Sequence, residues 1–451
     1  MSAPWAGRRL HFVGVGGAGM SGYARVAQAL GAEVSGSDAA SSDYLRRLAE
    51  DEILEASIGH AASNLPAGEG VELIYSSAVP SSNPERAAAR ERGLSERPRA
   101  ELLAELSALR KTIAVAGTHG KTTTASMIAH ALRAAGAEPG WLVGGTIAEG
   151  LPNAEWGKGS WLVVEADESD RSMLSLDVDI AVLTNVEMDH HASFASLGEL
   201  RHAFREFLGG AHTALVVWDR PELLALADRA GDEPGRPQLV AYDVPEPVLD
   251  ASGSRFDWRG EEVRLTVPGA HNALDAAAAL EAVRLTGVPL RDAIESLSYF
   301  HGAGRRFQLL GLSSGGARVY DDYAHHPTEI AATLAGARTL EPRRLVAVFQ
   351  PHLYSRTERL AADFGRALSA ADIVVVLELY PARERAEDHP GVSAIAVAEA
   401  ATDWGAGRPV YWLPAFADAR PVLEDLLSDG DVCVVMGAGD VDSLARSLIS
   451  S

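Results

Sequence analysis

The stretch AVAGTHGKTTT, residues 114–124, decides how this chain is read. Apolar residues from Ile113 to Ala116 run into Gly117 and Gly120, and Lys121 and Thr122 follow at once. The wider segment, residues 111–136, predicts a buried strand, a glycine-containing loop and a helix in that order. Its G-x-x-G-K-T departs from the standard phosphate-loop pattern G-x-x-x-x-G-K-[ST] in having Val115 at the first glycine position. The physics survives that change. The N–H groups of a tight loop and of a helix N-terminus bind phosphate oxygens. Lys121 brings positive charge to the β- and γ-phosphates, and Thr122 offers an oxygen to Mg²⁺. Lysine occurs only at 111, 121 and 158, so chance is a poor explanation for one inside this motif.

Outward from that loop, LHFVGVGGAGMSG (residues 10–22) is a second glycine-rich turn, with Gly14, Gly16 and Gly19 spaced as G-x-G-x-x-G and Asp38 near the end of the next strand. A nicotinamide-dependent oxidoreductase carries this fingerprint. What the glycines report is a pyrophosphate at a helix N-terminus, the anion and not the chemistry done on it. Downstream, Glu165, Asp167 and Glu168 end one apolar run, and Asp189, His190 and His191 end another. Ligands of open α/β sheets sit at the carboxyl ends of strands, and acids placed there beside a phosphate loop can hold Mg²⁺.

A chain of 451 residues exceeds one ordinary domain. Strand and helix patterns alternate throughout, so the expected class is α/β with a largely parallel sheet in each of three regions: 1–105, 106–302 and 303–451. Within the first, the Arg/Glu-rich residues 83–106 are expected to be helical and solvent-facing. A formal net charge of −22 excludes a general nucleic-acid binder, and any anionic ligand needs a site built locally from amides and a few cations. Cys433 is the single cysteine, which excludes an intrachain disulfide and a cysteine-ligated zinc. The N-terminal residues show no signal-peptide pattern and no apolar run reaches bilayer length, so the expected setting is soluble and cytoplasmic, with no membrane partner.

Taken with GAGRRFQ, DDYAHHPTEI and FQPHLYSRT in the last third, these motifs run in the order of the Mur ligase family, which the chain resembles over nearly its whole length. The resemblance is strongest to the alanine-adding branch. It implies a Rossmann-like UDP-binding domain, a P-loop ATPase-like central domain and a Rossmann-like C-terminal amino-acid domain. It implies joining L-alanine to the lactyl carboxylate of UDP-N-acetylmuramate through an acyl phosphate, with ATP cleaved to ADP and phosphate. Gly16, Gly17, Ala18, Gly19, Met20, Ser37, Asp38, His60, Ser76 and Ser77 would hold the UDP-sugar. Gly117, Thr118, His119, Gly120, Lys121, Thr122 and Thr123 would hold the ATP phosphates, with His271 and Asn272 by the adenine and Asp322 on the ribose. Thr122, Glu165 and His190 would bind magnesium, two ions during catalysis. Arg306 would reach the γ-phosphate, with Arg305 beside it, and Tyr323, His325 and Arg356 would meet the alanine. Lys121, His190, Arg306 and His325 would be the catalytic set.

The sequence departs from the family pattern at Asp275, where a second asparagine is usual, and after His191, where an Asp is usual. Related ligases carry a carbamoylated lysine in the central domain. Lys158 is the remaining lysine there and sits in a turn-like WGKGS, against such a modification. Three other readings stay open: a recycling ligase that adds a preformed peptide to the same nucleotide, a nicotinamide-dependent oxidoreductase resting on the glycines of residues 10–22 alone, and a non-catalytic nucleotide-binding regulator.

Overall fold

The computed structural model describes residues 3–147, 150–189, 193–228 and 236–449. The first sheet contains β1 (Arg9–Val13), β2 (Glu33–Asp38), β3 (Ser57–Ile58), β4 (Val71–Tyr75) and β5 (Ser95–Pro98), all parallel, in the order β3-β2-β1-β4-β5. The second contains β6 (Lys111–Ala116), β7 (Gly140–Leu142), β8 (Ala154–Trp156), β9 (Trp161–Glu165), β10 (Val178–Leu183), β11 (Ala211–Trp218) and β12 (Gln238–Tyr242), in the order β12-β11-β10-β6-β9-β7-β8, with only the β7–β8 pair antiparallel. In each sheet the glycine-loop strand, β1 or β6, sits where the chain turns from one side of the sheet to the other. Such a switch point opens a crevice at the strands' carboxyl ends.

Two departures from expectation concern local pairing. Residues 83–106 are not one helix: Pro84–Glu91 and Arg99–Ser107 are helical, and β5 lies between them. Gly93, at φ +64°, turns the chain after the first helix. The polar residues Ser95–Pro98 then pair with β4 as an edge strand, where Arg97 bonds Glu72 and Glu101. Charge and proline are what an edge tolerates. A small antiparallel sheet of β13 (Val248–Asp250), β14 (Gly253–Trp258) and β15 (Glu261–Leu265) is also an addition to the expected parallel architecture.

The last sheet contains β16 (Gln308–Leu312), β17 (Arg318–Asp322), β18 (Leu345–Phe349), β19 (Ile373–Leu377), β20 (Val410–Leu413) and β21 (Val432–Met436), in the order β16-β17-β21-β18-β19-β20, with only β16–β17 antiparallel. Its central strands are buried on both faces, which is why they read as unbroken apolar runs. Alternate residues serve opposite faces: Leu345, Ala347, Val432 and Val434 join one core, Val346, Val348, Cys433 and Val435 the other.

The chain forms two compact units, Met1–Asp243 with Asp275–Ser296, and Val244–Leu274 with Leu297–Ser451. In the first, one apolar core runs from Trp5 and Phe12 through Leu142 and Val164 to Leu226, so the first two sheets share it. Among the described residues no helix is long and apolar enough to cross a membrane.

Candidate active site

In the first unit the loop after β6 is held from both sides. Gly117 has φ +133°, and a Cβ there would lie 2.1 Å from Thr184 Oγ1. Gly120 caps the helix Lys121–Ala134 at φ +83°, and a Cβ there would lie 2.5 Å from Asp275 Oδ1. These two glycines are therefore required by conformation and by space. Residues just past β10 brace the rest. Thr118 N–H donates to Asn185 O (3.1 Å), His119 N–H to Asn185 Oδ1 (2.9 Å), Thr118 Oγ1 to Glu187 O (2.9 Å) and Thr184 Oγ1 to His119 O (2.6 Å). The segment Thr184–Glu187, expected only to lead into an acidic cluster, thus shapes the phosphate loop. His190, expected at the metal, lies outside the described residues, and its neighbour Asp189 is buried.

Lys121 is the first residue of the helix. Its Nζ donates to Gly117 O (2.6 Å), Thr118 O (3.2 Å) and Glu168 Oε1 (3.0 Å). Burial pushes the ammonium pKa down, but Glu168, Asp167 and Glu165 outweigh it and hold the pKa above its usual value, so the charge is secure. Glu165 ends β9, in register with Val115 of β6, and its Oε1 accepts from Gly144 N–H at 2.6 Å. The hydroxyl of Thr122 and the carboxylate of Glu165 are hard oxygen donors, which is the chemistry that fits magnesium.

Arg99, inside the run expected to face solvent, bonds Asp170 Oδ2 through Nε (2.9 Å) and Nη2 (2.7 Å), and Asp167 Oδ2 through Nη2 (3.0 Å). Burial acts to raise the Asp167 pKa, yet Arg99 and Lys121 hold it well below the usual carboxylate range. Arg99 therefore ties the first sheet's last helix to the acids flanking Glu168. Nothing in its local sequence separates it from the surface arginines around it.

At the first glycine loop, Gly16 N–H donates to Asp38 Oδ2 (2.8 Å), and Ser42 Oγ donates to Gly16 O (2.9 Å). Gly17 caps the helix Ala18–Ala29 with extended backbone and no side-chain cap bond, which leaves first-turn amides for another acceptor. Ala18 and Gly19 are half-buried and Met20 is buried. Asn153, just before β8, donates through its amide to Ala18 O and to Ser21 Oγ. Ser76 and Ser77 follow β4, and Ser76 N–H donates to Val13 O (3.2 Å). Ser37 is fully buried, with its hydroxyl donating to Glu85 at 2.7–2.8 Å, so it supports the crevice from beneath. Asp38 is committed to its own loop. His60 stands beside Ser37 at 3.1 Å.

In the second unit, Arg305, at φ +56°, bonds Asp321 Oδ2 (3.2 Å), Gly437 O (2.8 Å) and Gly439 O (3.2 Å), a structural tie. Arg306 lies over the Tyr323 ring at 5.2 Å, with Glu329 at 3.7 Å. Asp322 accepts from Phe307 N–H (2.7 Å) and Ala324 N–H (2.6 Å). Burial lifts its pKa to about 6, against the pull of Arg306. His325 packs edge-on to Tyr323, and its Nδ1 lies 3.0 Å from Tyr323 O and 3.3 Å from Glu329 Oε2. Both neighbours are acceptors, so the proton sits on Nδ1 and Nε2 is the basic nitrogen. His326 instead caps the helix Pro327–Arg338 in a capping box with Glu329. Arg356 is buried, with Nη1 3.2 Å from His352 Nδ1. Burial takes His271 down to about 4, which makes it a neutral imidazole, and the Asn272 amide donates to Pro268 O (2.7 Å).

Two braced glycine loops on α/β sheets, with a charged lysine among acids on the second, define a nucleotide-dependent group-transfer enzyme. The chain belongs to the Mur ligase family: its catalytic domain matches residues 9–111, its middle domain 115–283, and its glutamate ligase domain 305–439. The chain is 42% identical to a UDP-N-acetylmuramate--L-alanine ligase of Mycolicibacterium smegmatis, over 100% of this chain and 96% of that one. A protein of the same name from Rubrobacter xylanophilus is 43% identical, over 98% of this chain and 99% of its own. Among solved structures, a UDP-N-acetylmuramate-alanine ligase of Thermotoga maritima superposes with a TM-score of 0.82 at 27% identity, covering 98% of both chains.

Proposed function

We propose that this chain is an ATP-dependent ligase that joins L-alanine to UDP-N-acetylmuramate in cytoplasmic peptidoglycan precursor synthesis. The observation that carries the reading is Lys121, held as a cation on a phosphate loop within a family of ligases whose full-length relatives at 42–43% identity are named for this reaction.

The chemistry sets the roles. A carboxylate is a poor electrophile, so its oxygen attacks the γ-phosphorus and ADP departs. The amine of alanine then attacks the acyl carbon, phosphate leaves, and the amide forms. Both reactants of the first step are anionic, so positive charge must be placed between them. Lys121 and the N-terminus of the helix Lys121–Ala134 supply it on the ATP side, and Arg306 is the second cation. When bound, magnesium neutralises phosphate charge, and Thr122 and Glu165 are the residues that would hold it. Gly16 to Met20 anchor the pyrophosphate of the sugar nucleotide. His271 and Asn272 flank the adenine, and Asp322 meets the ribose. Arg356 pairs with the alanine carboxylate. His325, with Nδ1 protonated, accepts the amine's proton at Nε2.

The test is coupled ADP release with UDP-N-acetylmuramate and one acceptor at a time. Release with alanine supports the reading. Release with a tripeptide and none with alanine assigns the chain to peptide recycling instead.

A further inference from the structure

Beneath the first glycine loop lies a polar cluster that the proposed reaction does not use. Glu85, second residue of the helix Pro84–Glu91, is 0% exposed. Its carboxylate accepts from His11 Nε2 (2.8 Å), Ser37 Oγ (2.7 Å), His60 Nδ1 (3.1 Å), Asn64 Nδ2 (3.1 Å) and Ala61 N–H (3.3 Å). No lysine or arginine is among these partners. A carboxylate taken out of water without a guanidinium is costly unless hydrogen bonds fill its lone pairs, and here they do.

Of the two histidines on this carboxylate, the His11 side chain is 1% exposed and that of His60 is 21% exposed. His60 follows β3, whose Ile58 pairs with Asp38, and Gly59 N–H donates to Asp38 O (2.7 Å). Asp38 in turn holds Gly16 of the loop. His60 therefore stands at the carboxyl ends of the strands, beside the loop, where a nucleotide of this fold lies. A carboxylate only accepts, so the hydrogen between Glu85 and His60 is on Nδ1. In the neutral ring Nε2 then carries a lone pair, and it has no partner among the described residues.

We propose that Glu85 is a positioning residue for nucleotide recognition: it fixes His60 as the Nδ1–H tautomer, so that Nε2 presents an acceptor to a hydrogen-bond donor of the bound nucleoside. The inference rests on the reading of this loop as the UDP-sugar site. Two donors of a uridine have the required chemistry, the imide N3–H of uracil and a ribose hydroxyl.

Histidine-labelled protein at pH 8 reports the tautomer by ¹⁵N NMR, with the His60→Gln spectrum identifying the resonance. The expected signal is a protonated Nδ1, replaced by the other tautomer or a mixture in Glu85→Gln, where the amide can donate to Nδ1. UDP is the binding probe, measured by calorimetry against N3-methyl-UDP and deoxyribose-UDP. One analogue should bind wild type about tenfold more weakly than UDP, the cost of one unmade hydrogen bond, and its identity names the donor. UDP should lose a similar factor on Glu85→Gln, and the weakened analogue should lose little more. A wild-type His60 protonated at Nε2 overturns the proposal, as do equal affinities for UDP and both analogues. The tautomer and analogue measurements need only wild-type protein, so they stand if the variant fails to fold. Wild type that binds no UDP at all refutes the sugar-nucleotide reading itself.

Discussion

Replacing Gly120 by alanine tests whether the phosphate loop is shaped by Asp275 as well as by backbone conformation. Gly120 sits at φ +83°, where an L-residue costs ~1–2 kcal/mol. The added Cβ would also lie 2.5 Å from Asp275 Oδ1, closer than real Cβ contacts come, so the buried Asp275 side chain has to move. Forcing such a shift in a packed site costs ~1–3 kcal/mol, and the two terms together predict a loss of about 2–5 kcal/mol. They are separable, because Asp275→Ala removes the overlap and leaves the dihedral penalty. The double variant Gly120→Ala/Asp275→Ala should regain ~1–3 kcal/mol relative to the sum of the two single changes. The assay is urea denaturation followed by hydrogen exchange in the strand Lys111–Ala116, which reports the opening of this sheet. A Gly120→Ala protein as stable as wild type refutes the reasoning. So does a double variant whose loss equals the sum of the singles, because the overlap would then carry no energy.

Lys121→Ala should lower ADP release by at least ~10²-fold while leaving UDP binding intact, since it removes charge from the phosphate side alone; turnover and UDP calorimetry check the two halves. Arg356→Ala should raise the KM for alanine ~10-fold or more with little change in the KM for ATP, because a forked charge pair is lost at one substrate only; steady-state kinetics with each substrate varied show the split. Glu85 gives a pH signature. Burial raises its pKa, but hydrogen bonds from His11, Ser37, Asn64 and His60 bring it from 4.5 to about 2. A depressed carboxyl stabilises the fold above its unfolded value and loses that contribution as pH falls through its folded value, here about 3 kcal/mol fading from near pH 4.5 to below pH 2. The stability gap between wild type and Glu85→Gln should therefore narrow by ~2 kcal/mol between pH 6 and pH 3. A constant gap, measured by exchange in the strand Arg9–Val13, contradicts this.

Both glycine loops and the strands feeding them were legible because each signal is local: an apolar run, glycines at fixed offsets, then a helix. Lys121 and Glu165 could be placed for the same reason, since each lies within a residue or two of a strand end. Pairing between distant segments was hidden. Ser95–Pro98 is polar enough to pass for the surface of a helix, and only its partner β4 makes it a strand. Arg99 looks like its neighbours until Asp167 and Asp170 meet it across 68 and 71 residues of sequence. Glu85 lies in an Arg/Glu-rich run that suggests solvent, yet it is buried by His11 and Ser37 from two strands. Thr184 and Asn185 follow an apolar strand and carry no motif of their own, although they brace His119. Ser37 shows the opposite limit: its position was readable, but not which way its hydroxyl faces.

The three bonds from Lys121 to Gly117 O, Thr118 O and Glu168 also bear on anion selectivity. A lysine already satisfied by its own loop is not an open trap for any passing oxyanion. Free phosphate must compete with two carbonyls and a carboxylate for the ammonium, and it brings few other contacts with which to win. A nucleoside triphosphate brings a base, a ribose and two further phosphates, so it can displace those partners where the smaller ion does not. Any anion that binds this loop therefore has to exchange for partners that the lysine already holds.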